Sequence, residues 1–225
     1  MKILGIETSS AVFSLCLNDD ENVLHEFSKQ RECEGHRDAG IFNEAKRLID
    51  TCGGENIKAI AISNGPGMFT SLRVGLSLAK GIALVNNTPV VAVNTLDVIG
   101  LEPSRSVSRV VAVVNAYRGE IYAAFYEKGG RTGDYLLTTP TGLVKMIRCC
   151  TLAIGPGSDL LEKVELDTSK LDIAKDDQYL PSAAKVVSLA LPRVKEGDFD
   201  EIEFLEPFYI KRTDAERRYD KSNAI

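Results

Sequence analysis

Several groups of residues in this 225-residue chain have types and spacings that could do chemistry. Thr8-Ser9-Ser10 places small hydroxyl side chains in a short turn after an apolar run, and Ser63-Asn64-Gly65-Pro66-Gly67 places glycine-rich backbone just before a helical pattern. Free N–H groups and the helix dipole at such a junction favour an anion, so Thr8, Ser9, Ser10, Gly65 and Gly67 read as a phosphate loop or the vestige of one. Backbone geometry alone asks for the same residues, because a hairpin turn takes small polar side chains and a strand-to-helix turn takes glycine. Neither the GxxxxGKS/T nor the GxGxxG spacing is met, which gives the geometric reading more weight.

Magnesium-dependent phosphoryl transfer across two hairpins wants carboxylates facing a shared cleft. At the corresponding points the chain has Glu7 and Asn115. An amide oxygen can ligate but brings no charge, so a metal–nucleotide site there is expected to be incomplete. The two histidines, His25 and His36, form no HExxH or other i, i+4 pair, and Cys33 with His36 has CxxH spacing without a second pair. No metal site and no catalytic residue are expected. The five cysteines include the adjacent Cys149 and Cys150 but no CxxC, which reads as reduced, structural thiols.

These residues need elements to position them. Apolar strand patterns over 2–8, 12–18 and 22–28 form a three-stranded antiparallel meander, and Ile41, Phe42, Ala45, Leu48 and Ile49 put one apolar face on a helix over 38–51. A buried strand over 59–63, a helix over 71–86 capped by Thr70 or Ser71, and a strand over 90–93 follow. Parallel strands need helical crossovers, so this order predicts a mixed α/β sheet. The pattern then restarts: strands over 109–115 and 120–127, a helix over 141–148, a strand over 151–154, and Gly155-Pro156-Gly157 repeating the earlier loop. A duplicated fold with a degenerate second half is expected, with lobes over 1–104 and 105–203 and a tail, 204–225, packing back on the first lobe.

The helix over 71–86 is apolar around most of its circumference. Arg73, Ser77 and Lys80 form a narrow polar stripe, and Ser71, Gly75 and Ala79 form a stripe of small residues that would let another helix approach. One apolar face can cover the sheet. The second predicts another protein, with loss of Arg73 or Leu76 weakening association more than folding.

Composition bounds the rest. With 44% hydrophobic residues the chain can bury one or two cores, and its net charge of −5 excludes a broad non-specific nucleic-acid surface. The tail cations Lys211, Arg212, Arg217 and Arg218 read as a solvated face. No uncharged apolar run reaches about 18 residues and no signal pattern opens the chain, so a cytoplasmic protein without a membrane segment is expected.

ILGIETS, GPGMFTSLRVG, LAKGIAL, PVVAVNTLDVIG, VVNAYRGEIYAAFY and EPFYIKR together resemble the TsaB family. The resemblance implies a two-lobed fold of the actin, sugar-kinase and heat-shock-ATPase class, which is a duplicated ribonuclease H-like fold. It also implies a non-catalytic subunit of the bacterial complex that attaches threonylcarbamoyl to the adenosine beside the tRNA anticodon. Such a subunit pairs with the catalytic TsaD-like subunit, or with itself, through its first two helices, and a TsaE-like ATPase joins them. That assigns an interface to Phe42, Ala45 and Ile49 on the first helix and to Phe69, Leu72, Arg73, Leu76 and Lys80 on the second. ATP and a metal ion are then expected on the partners, none on this chain, and tRNA at most indirectly. The HxxxH of the catalytic relative falls on Thr95 and Ile99 here. The family usually has Asp at Glu7, Ser at Met68, Gly at Ser71 and an acid at Asn115, so this chain is a divergent match. The competing readings are an ATP-dependent phosphotransferase, with Thr8–Ser10 and Gly155-Pro156-Gly157 on phosphate, and a metallopeptidase.

Overall fold

The computed structural model describes residues 1–30, 39–174 and 179–208. Cys33, His36 and the tail from 209 onward lie outside the described residues, as does most of the expected packing of 204–225.

The first sheet contains β1 (Lys2–Glu7), β2 (Val12–Asp19), β3 (Asn22–Gln30), β4 (Ile57–Gly65) and β5 (Val90–Asn94), in the order β3-β2-β1-β4-β5. β1–β2 and β2–β3 are antiparallel, whereas β1–β4 and β4–β5 are parallel, connected through α1 (Ala39–Cys52) and α2 (Phe69–Asn86). The second sheet contains β6 (Val110–Tyr117), β7 (Glu120–Glu127), β8 (Gly130–Thr138), β9 (Thr151–Ile154) and β10 (Leu171–Ile173), in the order β10-β9-β6-β7-β8. It repeats the first sheet neighbour for neighbour and sense for sense. In the second half α4 (Pro140–Met146) follows the meander as α1 does in the first, and a six-residue 3-10 segment, Ser158–Lys163, follows the glycine loop where α2 does.

The central strands are nearly all apolar because both faces of the first sheet are covered. Leu4, Ile6, Ile60 and Ile62 share a core with Ile41, Ala45 and Leu48 of α1 and Leu76, Ala79, Ile82 and Ala83 of α2. On the opposite face Ile3, Ala59, Ala61 and Val91 pack against Ala183, Val186, Val187, Ala190 and Val194 of α5 (Ala183–Glu196). The range 105–203, read as the second lobe, thus contributes its last helix to the first sheet. Gly5 permits this approach: a Cβ there would lie 2.6 Å from the Ala183 carbonyl oxygen.

Four of the described strands and α-helices lie outside the sequence expectation, the 14-residue α5 among them. β8 is polar and largely exposed, β10 has only three residues, and α3 (Thr95–Gly100) is a short helix between the lobes, capped by Asn94 Oδ1, which accepts the Leu96 N–H at 2.9 Å. α2 also starts earlier than its expected cap. Met68 is the N-cap and supplies no side-chain hydrogen bond; instead its own N–H donates to Ser9 O at 2.9 Å. The helix start is therefore fixed by the first hairpin rather than by a local cap. Among the described residues no helix is long and apolar enough to cross a membrane.

Candidate functional site: the hairpin turns and the two-helix face

Glu7 ends β1 fully buried, and its Oε1 accepts both the N–H and the hydroxyl of Ser9, each at 2.5 Å. Asn115, near the end of β6, does the equivalent: its Oδ1 accepts the Tyr117 N–H at 2.7 Å. The two residues that sequence placed on a metal cleft each close their own hairpin turn, two residues onward. Burial raises the Glu7 carboxyl above the ordinary carboxylate range, and the Ser63 and Ser9 groups beside it only partly oppose that rise. Glu7 Oε2, Ser63 Oγ and Thr95 Oγ1 are all buried without a well-formed hydrogen bond among the described residues. Among the described residues no three His, Cys, Asp or Glu side chains converge as a metal site would require.

The hairpin turn and the glycine loop fill one another. Thr8, Ser9 and Ser10 are buried. A Cβ on Gly67 would lie 2.3 Å from Ser9 O, and one on Gly75 would lie 2.2 Å from Thr8 Oγ1. Gly65 adopts φ +116°, a left-handed conformation that L side chains resist. The second lobe repeats the arrangement: Gly155 has φ +100°, and a Cβ on Gly157 would meet Asn115 N at 2.6 Å. This close approach is the backbone reason for glycine that competes with the phosphate reading of Thr8, Ser9, Ser10, Gly65 and Gly67, and of Gly155-Pro156-Gly157. These glycines let loop and hairpin touch.

The expectation for α2 changes as well. Leu72, Leu76 and Ala45 are buried. Leu76 and Ala45 lie in the core that α1, α2 and the sheet share. They cannot serve as docking residues in this conformation, and Leu76 belongs to folding rather than association. Of the residues assigned to the interface, Phe42, Phe69 and Arg73 are exposed, while Ile49 and Lys80 are half-buried. The Arg73 guanidinium sits over the Phe69 ring. Leu84, 71% exposed, and Val85, 84% exposed, extend this outer surface and were missed from sequence. The signal was there: Leu84 continues the Arg73-Ser77-Lys80 stripe at helical spacing and breaks its polarity.

Thr95 and Ile99 are both fully buried in α3. The same helix carries Asp97, whose carboxylate accepts the Tyr126 hydroxyl at 2.8 Å and the Tyr135 hydroxyl at 2.7 Å, with Arg131 Nε 3.8 Å away. Burial, then the carboxylate, raises both phenols, so they stay protonated donors. Phe208 packs edge-on against Tyr135 at 5.4 Å, and its N–H donates to Asn64 O at 2.7 Å. The loop that launches α2 is thereby tied to the second lobe.

Residues 41–219 match the family model described as TsaD, tRNA N6-adenosine threonylcarbamoyltransferase. The tRNA threonylcarbamoyladenosine biosynthesis protein TsaB of Escherichia coli (strain K12) is 26% identical over 226 residues, covering 96% of each chain. A Pseudomonas aeruginosa structure described as an uncharacterized protein with similarity to peptidase YEAZ superposes with a TM-score of 0.75 at 24% identity, over 93% of this chain and 99% of that one. The activator of 2-hydroxyisocaproyl-CoA dehydratase from Clostridium difficile, with bound ADPNP, superposes with a TM-score of 0.50 at 10% identity, over 88% of this chain and 97% of that one. These likenesses place the fold in the two-lobed actin, sugar-kinase and heat-shock-ATPase class.

Proposed function

The chain belongs to the TsaD family of tRNA N6-adenosine threonylcarbamoyltransferases, with its end-to-end likeness to TsaB, and from that premise we propose that it works in tRNA threonylcarbamoyladenosine biosynthesis as a non-catalytic docking subunit. The observation that carries the TsaB assignment is coverage. The TsaB relative aligns over almost the whole of both chains, whereas the transferase of Anaplasma marginale, 35% identical, aligns over 42% of this chain and 32% of its own length.

The docking role is supported by the outer surface of α1 and α2, where Phe42, Phe69, Arg73, Leu84 and Val85 leave apolar area beside a cation. Such a mixture suits a protein interface, where aromatic residues and arginine concentrate. The partner is a TsaD-like catalytic subunit, with a TsaE-like ATPase joining the pair; a second copy of the chain can use the same face. The non-catalytic role is supported by Thr95 and Ile99, neither of which offers a ligand nitrogen, and by Glu7 Oε1 and Asn115 Oδ1, both engaged in closing turns. ATP and a metal ion then belong to the partners, tRNA is met indirectly, and the work is cytoplasmic.

The test has two arms: co-purification with the TsaD-like subunit of the same organism, and nucleoside mass spectrometry of tRNA after depletion. Pairing together with loss of threonylcarbamoyladenosine is expected. Failure to pair with the modification unchanged would refute the proposal.

A further inference from the structure

Cys149 and Cys150 lie on the turn between α4 and β9, outside everything the docking role uses. Both are exposed free thiols. The other described cysteines are less accessible, Cys16 being buried and Cys52 half-buried. Arg109, just before β6, donates from Nη1 to Cys149 Sγ at 3.6 Å. The same guanidinium is held in place by Glu127 at 3.1 Å and by the Phe125 ring at 5.0 Å, and its Nε is buried without a hydrogen-bond partner among the described residues. The backbone is also anchored. Thr151 Oγ1 donates to Cys149 O at 2.9 Å, and Lys170 Nζ donates to Arg148 O at 3.1 Å. Beside Cys150 opens a cavity of about 450 Å³ whose lining includes Ser108, Arg109, Ser169 and Lys170, with Asp172 the single acid.

We propose that Cys149 and Cys150 form a reversible thiol–disulfide exchange site for a small anionic disulfide, with Arg109 beside the attacking sulfur and the cationic cavity receiving the disulfide's carboxylates. The attacking species in such exchange is a thiolate, and the Arg109 N–H already aimed at Cys149 Sγ orients that sulfur and offers a hydrogen bond to it. Cys149 is the attacking residue because Arg109 contacts it. Its proton passes to solvent, its sulfur bonds to one sulfur of the disulfide, and the other sulfur leaves as a thiolate. Cys150 then loses its proton, attacks Cys149 Sγ and expels the second thiolate. The protein dithiol is oxidised by two electrons and the small disulfide is reduced to two thiols.

The product would be easily reversed. Consecutive Cα atoms are about 3.8 Å apart across a trans peptide, below the usual disulfide span of about 4.4–6.8 Å, so a ring between neighbouring cysteines is strained and readily reduced. A site of this kind responds to redox poise instead of acting as a permanent staple.

The experiment treats the full chain with glutathione disulfide and follows intact mass and peptide maps over time. Wild type is expected to lose both thiols at 149–150 with no retained adduct. C150S should trap one glutathione on Cys149, and C149S should lose the fast phase. R109Q should slow the reaction by on the order of tenfold, R109K should retain most of the rate, and added salt should slow wild type. Urea midpoints of each variant separate lost reactivity from lost fold, and the two serine variants, both at exposed positions, decide the matter if R109Q unfolds. First modification at Cys33 or Cys52, equal rates in C149S and C150S, or a rate indifferent to both Arg109 and salt would overturn the proposal.

Discussion

The Arg73 guanidinium lies over the face of the Phe69 ring, 4.0 Å from its centroid, at the exposed start of α2. Neither side chain is part of the core beneath them, since the ring is 44% exposed and Arg73 points outward from the helix. A cation–aromatic contact at an exposed site is worth about 0.5–1 kcal/mol, so its loss costs folding little, while the ring and cation remain open to a partner. F69A and R73E are therefore expected to weaken pairing with a TsaD-like subunit, or with a second copy, by at least tenfold in Kd, while the urea midpoint moves little. L76A should do the reverse, costing about 2–5 kcal/mol of folding stability because it empties a core position. Calorimetric titration and urea melts on the same variants separate the two.

The contact between loop and hairpin predicts a packing effect. A methyl group on Gly67 would fall 2.3 Å from Ser9 O, which is backbone and has little freedom to retreat. G67A is expected to cost about 1–3 kcal/mol, read from urea unfolding. Unchanged stability would show that a gap exists where the structure has none.

Glu7 predicts a pH dependence with an unusual sign. Its folded-state carboxyl is held above the ordinary value of 4.5 by burial, so the native chain keeps a proton that the unfolded chain releases. This contribution is full below about 4.5 and is lost as the pH rises through the folded value. E7Q keeps an oxygen for the Ser9 donors and does not ionise. It should be as stable as wild type or more so at neutral pH and should flatten the decline that wild type shows on leaving the acid side. Urea midpoints across that pH range check it; a wild-type profile that climbs through the window would contradict the assignment.

The interlobe tyrosines give a further measurement. Y126F removes a fully buried hydroxyl from Asp97 Oδ1 and leaves the carboxylate with Tyr135 and Arg131. A cost of about 1–3 kcal/mol is expected from the lost charge-assisted hydrogen bond. Y135F alone should cost less, since that side chain is only half-buried.

Much of the fold was legible because its signals are local. Apolar runs such as IKAIAISNG and the two hairpins give strands directly, and the repeated Gly-Pro-Gly order exposes the duplication. β8 was missed because its exposed strand, GRTGDYLLT, carries no clear alternation, and β10 because three residues carry no period at all. The placement of α5 on the first sheet depends on which surface is left uncovered, and no window of sequence contains that information. The candidate site was legible in residue identity but not in role. Glu7, Asn115 and the glycines were singled out correctly as special, yet spacing cannot tell a side chain that closes a turn from one that binds a ligand. Similarly, the all-round apolarity of α2 says that more than one face must be covered, and only the folded core shows that Leu72 and Leu76 are already buried within the chain while Phe69, Leu84 and Val85 are not.

The two sheets repeat each other, but the helix that follows the first glycine loop has 18 residues and its counterpart is a six-residue 3-10 segment. Valency follows from that asymmetry. Each molecule carries one such long helix instead of two related by its internal repeat, so the docking proposed for α2, made isologously, would close after a single pair and would not propagate from lobe to lobe. Shortening one half of a duplicated scaffold is a way of setting stoichiometry, and a larger assembly would have to recruit its further members through other surfaces.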